Sequence, residues 1–196
     1  MGYWLGKMTE EKAKQIGKEA EESKENPMRA IKISEIVLNC GALAEKLERA
    51  IELLKMVTGK EPITTLTKKR IPAFGLRPGL PTGCKITLKG KEAEALLKRL
   101  LDAVGNQLLD KQIGNGQLSF GIQEYIEISG VQFSREIGML GFDVSVNLTR
   151  AGTTIAERKT KKGHVPLRHR ISKEETKRFM QNMFNIKILK GKNERK

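Results

Sequence analysis

From Phe142 to Thr149 the chain alternates without a break: Phe142, Val144, Val146 and Leu148 are apolar, and Asp143, Ser145, Asn147 and Thr149 between them are polar. Side chains of an extended strand point to opposite faces in turn, so this period of two demands one dry face and one wet face. A sheet built from such strands is covered on one side only, which is the habit of antiparallel sheets. Other segments supply the cover. Leu43, Leu47, Ala50, Ile51 and Leu54 recur at helical steps from Ala42 until Gly59. Leu96, Leu97, Leu100, Leu101 and Val104 mark a second helix over Glu92–Val104. Ser172 to Glu175 reads as a capping box opening a last helix with Phe179, Met180 and Met183. Strands are expected at Arg29–Asn39, with Ile31, Ile33 and Val37 on one parity, at Ile63–Lys68 and at Cys84–Lys89. Gln117–Ile128 should hold one or two strands with Gly121 between them. Helices and strands interleave irregularly, so the fold class is α+β: an antiparallel sheet with helices packed on one face, plus protruding basic loops.

The 196 residues suit one domain. Residues 1–27 read as a charged N-terminal extension, helical over Thr9–Lys24 or disordered, residues 28–190 as a single RNA-binding α+β domain, and residues 191–196 as a basic tail. No apolar run exceeds three residues, so no membrane span is expected. Cys40 and Cys84 lack metal-site or disulfide-framework spacing, which points to a reducing, cytoplasmic setting.

Charge narrows the partner. Lys and Arg number 37 against 23 acidic residues, a formal net charge of +14. Residues 60–99 hold 10 basic and 3 acidic residues, residues 150–196 hold 15 and 4, and residues 100–149 hold 2 and 6. Solubility alone would spread lysines evenly, whereas concentrated cations imply a polyanion, nucleic acid before membrane. Meeting in space, the two segments would form one wide face for phosphate. The first contains KKRIPAFGLRPGLPTG (Lys68–Gly83), with four cations, three prolines, three glycines and no acid. Such a mix resists regular structure while limiting the freedom of the unfolded chain, as a shaped loop requires. Phe74 at its centre either stacks on an unpaired base or folds back to pin the loop. The second cluster, Arg158–Arg178, holds nine cations and is either a solvated tail or an arm that orders on an RNA backbone.

Catalytic chemistry finds no foothold. His164 and His169 lie in a basic loop without acidic partners, and no phosphate-binding glycine loop, HExxH or GxSxG pattern occurs. No metal, cofactor or enzymatic activity is expected. The alternative class is a basic RNA chaperone or RNA-processing factor, which would need a metal or an acid/base pair.

The run ITTLTKKRIPAFGLRPGLPTGCKITLKG (Ile63–Gly90) resembles the signature of the "L-five" family of large-subunit ribosomal proteins, which bind 5S ribosomal RNA. SEIVLNCG (Ser34–Gly41) resembles its first core strand, and FGIQEYIEISG (Phe120–Gly130) with Gly141-Phe142-Asp143 its C-terminal half. RHRISKEETKRF (Arg168–Phe179) is similar to the archaeal and eukaryotic branch. The resemblance implies a structural, cytoplasmic protein of the central protuberance that holds 5S rRNA and touches the adjacent large-subunit rRNA and neighbouring proteins. The family's RNA-contact positions fall on Asn39, Phe74, Arg77 and Thr87. Glu35 stands where bacterial members commonly have lysine and Lys60 where they have glutamine, so those two contacts do not carry over. Together with the charge pattern, the expected rRNA-binding residues are Asn39, Lys68, Lys69, Lys85, Thr87, Lys89, Arg158, Lys159, Lys161, Lys162, Arg168 and Arg170. The loop Arg70, Ile71, Pro72, Ala73, Phe74, Gly75, Leu76, Arg77, Pro78 and Gly79 would reach P-site tRNA. Gln132–Leu140 would touch a small-subunit head protein across an intersubunit bridge.

Overall fold

The alternating segment forms strand β6, Phe142–Arg150, whose even-numbered residues are buried. A computed structural model describes residues 27–189; the expected helix at Thr9–Lys24 and the tail at 191–196 lie outside the described residues. The described chain forms two units. Residues 32–149 with 170–189 make one, and residues 27–31 with 150–169 the other.

The first unit carries a five-stranded antiparallel sheet. Its strands are β1 (Ile31–Gly41), β2 (Ile63–Leu66), β3 (Pro81–Lys89), β5 (Gln117–Ile122) and β6, in the order β2-β3-β1-β6-β5. Helices α1 (Glu45–Thr58) and α2 (Lys91–Ala103) pack against β3. Leu47, Ala50, Leu53, Leu54 and Val57 of α1, and Ala93, Leu96, Leu97, Leu100 and Leu101 of α2, are buried with the sheet residues Ile36, Leu38, Cys84, Ile86, Val144 and Phe120. Gly59 ends α1 in the left-handed conformation, φ 70°, where its N–H reaches the carbonyl of Lys55.

Strand β1 buries the parity opposite to the one its isoleucines suggest. Ile36, Leu38 and Cys40 face the core, because the register with β3 sets them opposite Leu88, Ile86 and Cys84. Ile31 and Ile33 precede the rungs paired with β3, which begin at Glu35. Gln117–Ile128 holds one strand with Gly121 inside it, and the chain then turns through a 3-10 helix at Tyr125–Glu127.

Helix α4 (Lys173–Phe184) begins at the expected capping box. The Ser172 hydroxyl accepts from the Glu175 N–H at 3.3 Å, and the Glu175 carboxylate accepts from the Ser172 N–H at 2.9 Å. It leads into β7 (Lys187–Leu189), which pairs in parallel with β4 (Gln107–Leu109). Thr176 is fully buried; its hydroxyl accepts from the Gly116 N–H at 3.1 Å and donates to the Ser172 carbonyl at 3.0 Å. In the second unit, the short helix α3 (Thr154–Glu157) follows β6, and a 3-10 turn spans Leu167–His169.

Candidate nucleic-acid interface

With helices on one face, the odd-numbered residues of β1, β3, β5 and β6 occupy the other. Asn39 stands opposite Lys85, Val37 opposite Thr87 and Glu35 opposite Lys89 on adjoining rungs of β1 and β3. Neighbouring strands lie about 4.7–4.9 Å apart, so these side chains form one row of polar groups rather than scattered sites. Asn39, Lys85, Thr87 and Lys89 are all exposed. Four residues expected to bind rRNA therefore converge on two strands. Lysines in such a row could meet phosphate, while the amide and hydroxyl between them could supply directional hydrogen bonds. Lys89 Nζ lies 3.5 Å from a Glu35 carboxylate oxygen, so part of its charge is already balanced.

The loop between β2 and β3 is closed by its own backbone. At its neck, Thr67 N–H donates to the Leu80 carbonyl at 2.9 Å, and Gly79 N–H donates to the Thr67 carbonyl at 2.9 Å. At its tip, Ile71 and Leu76 exchange N–H···O=C bonds at 3.0 and 3.1 Å around a 3-10 turn, Pro72–Phe74. Gly75, at φ 66°, ends that turn where a side chain would be strained. Lys68, Lys69, Arg70 and Arg77 are exposed on this frame, and Phe74 is 69% exposed. An open groove lies between Phe74 and Leu76 on one side and Ala42, Leu43 and Lys46 on the other. The ring thus keeps most of its surface uncovered. Lys60, by contrast, pairs with Glu92.

The second unit presents Arg158, Lys159, Lys161, Lys162 and Arg168 as exposed side chains on a hydrogen-bonded segment. Gly163 N–H donates to the Ile155 carbonyl at 3.1 Å, Arg158 Nε–H to the Lys161 carbonyl at 2.7 Å, and the His169 ring meets the Ala151 carbonyl at 2.8 Å. Arg29, which sequence reasoning passed over, lines a groove with Arg168 and His169. Arg170 is exposed in the first unit, whereas Lys173 and Lys177 of α4 are tied to Asp110 and hold structure instead.

The segment Gln132–Leu140 is irregular, with Ile137 buried and Ser134 bonded to Tyr125. Tyr125, fully buried, accepts from the Ser134 N–H at 3.0 Å and donates to its carbonyl at 3.3 Å. Phe133 and Met139 stand exposed on either side of Ile137. Cys40 and Cys84 are free thiols, neighbours across β1 and β3 and buried. Burial pushes the Cys84 thiol up to about 11 and raises Cys40 in the same direction, which keeps both neutral and poor ligands. Among the described residues no three His, Cys, Asp or Glu side chains gather as a metal site, and no helix is long and apolar enough to cross a membrane.

A family model described as "Ribosomal protein L5" matches residues 26–77, and one described as "ribosomal L5P family C-terminus" matches residues 81–183. The chain is 41% identical over 176 residues to the "Large ribosomal subunit protein uL5" of Sulfurisphaera tokodaii, covering 88% of this chain and 99% of that protein. The protein of the same name from Sulfolobus acidocaldarius is 40% identical, with 87% and 98% covered. That from Nanoarchaeum equitans is 39% identical, with 84% and 99% covered. The matches run through the sheet, the loop and the capped helix alike, and the chain belongs to the ribosomal protein L5 family.

Proposed function

We propose that this chain holds 5S rRNA and adjacent large-subunit rRNA in the central protuberance, using the open sheet face and the β2–β3 loop. Family membership makes it a structural protein of the large ribosomal subunit, and hence a cytoplasmic one, with no enzymatic role. The observation that carries the finer reading is the row Asn39, Lys85, Thr87 and Lys89 on one uncovered face. Lys68, Lys69, Arg70, Lys85 and Lys89 neutralise phosphates, Asn39 and Thr87 hydrogen-bond to the RNA, and Phe74 stacks. Arg158, Lys159, Lys161, Lys162, Arg168 and Arg170 serve large-subunit rRNA. The exposed tip from Arg70 to Gly79 is the element that meets P-site tRNA, and Gln132–Leu140, with Phe133 and Met139 outward, the one that meets a small-subunit head protein.

Filter binding of transcribed 5S rRNA, with duplex DNA of equal length as competitor, tests the reading. A protein shaped for folded RNA retains 5S rRNA against the duplex. Equal competition by DNA would reduce the interface to non-specific charge.

A further inference from the structure

The β1–β6–β5 side of the open face has a chemistry of its own. Glu35, Val37, Gln117, Ser119, Ser145, Val146 and Asn147 surround a cavity of about 170 Å³. Pockets for drug-sized ligands run about 300–1,000 Å³, so this one accepts a single flat ring system rather than an extended molecule. Val37 and Val146 supply the apolar part of the lining, and the other five residues are polar. No lysine or arginine lines the cup. A phosphate would meet the Glu35 carboxylate with no cation inside to offset it.

We infer that this cup is a nucleobase pocket selective for guanine, with Glu35 as its reading group. The inference rests on the RNA-binding reading above and names what one part of the face recognises. A carboxylate has acceptors only, two oxygens side by side. Guanine's Watson–Crick edge offers two adjacent donors, the N1–H and the 2-amino group, next to the O6 acceptor. Adenine and cytosine pair one donor with a ring acceptor, and uracil sets its single donor between two acceptors. Only guanine satisfies both oxygens. Asn147 Nδ2 already reaches toward Glu35 Oε1 at a long 3.5 Å, which places an amide donor beside the carboxylate to serve O6. The Ser119 and Ser145 hydroxyls, 3.4 Å apart, complete the polar wall. Lys89 Nζ, 3.5 Å from Glu35 Oε2 and outside the cup, would leave that carboxylate to the entering base and exchange it for the phosphate of the same nucleotide. Unpaired bases are read on such edges in RNA recognition.

The test is titration of the ¹⁵N-labelled full chain with 5′-GMP, IMP, AMP, CMP and UMP, following the side-chain amides of Asn147 and Gln117. GMP should shift both saturably. IMP, lacking the 2-amino group, should bind roughly tenfold more weakly, as loss of one hydrogen bond to a charged group implies. Glu35→Gln should abolish that preference, and Glu35→Lys should replace it with equal response to all five. Equal shifts with every nucleotide in the unaltered protein, shifts confined to the Lys85 and Lys89 amides, or a GMP preference surviving in Glu35→Gln would each overturn the assignment. Filter binding of 5S rRNA separates the two readings. Retained 5S rRNA with no guanine preference removes the pocket alone, and loss of 5S rRNA removes the reading beneath it.

Discussion

Phe74 has the most exposed aromatic ring among the described residues, held on a turn whose backbone bonds do not depend on it. Removing the ring should therefore leave the fold intact and weaken the RNA complex. Phe74→Ala is expected to cost about 1–3 kcal/mol in affinity for 5S rRNA, with an unchanged thermal midpoint. Equal affinity would leave the ring as a loop anchor. The residue was legible in the sequence because an aromatic among cations, glycines and prolines has no periodic neighbours with which to form a core. Glu35 was not legible in the same way. In the sequence it is a departure from a basic pattern; only the register shows it facing Lys89 across the rung and Asn147 on the neighbouring strand. Arg29 was passed over because two residues far apart in the chain, Arg29 and Arg168, make its groove.

At the scale of elements, local rules located what local forces build. The alternation of β6, the stripe of α2 and the capping box of α4 each reflect interactions within a few residues, and each stands within about two positions of its expected bounds. The face of β1 and the pair β4–β7 depend on partners far away in sequence. Cys40 faces inward because Cys84 does, and three-residue strands carry no period of their own. Asp110 shows how such distant elements are joined. Lys177 and Lys173 of α4 both bond its carboxylate, and these hydrogen bonds hold it below the ordinary carboxylate range. A carboxyl whose folded value is depressed stabilises the fold above its ordinary value and loses that contribution as pH falls through the folded one. Asp110→Asn should accordingly lower the thermal midpoint at neutral pH, and the gap from the unaltered protein should close below about pH 4. Melting curves across pH read this directly; a gap that persists in acid would place the stabilisation elsewhere.

Across the molecule, the proposed interface rests on the difference between the sheet's two faces. Helices cover the apolar side, which leaves the other as a ready surface of amides, hydroxyls and lysines, with the cationic loop rooted at the end of β3. In the proposed complex, cations there would displace counterions condensed on the RNA, so salt would weaken binding by an amount that counts phosphates. The decisive measurement is the affinity for 5S rRNA over a salt series. With Lys68, Lys69, Arg70, Lys85 and Lys89 engaged, log affinity should fall against log salt with a slope of roughly −4, and Lys85→Ala should make that slope shallower by about one. A flat response, or a slope that Lys85→Ala leaves untouched, would contradict the claim that this face carries the RNA.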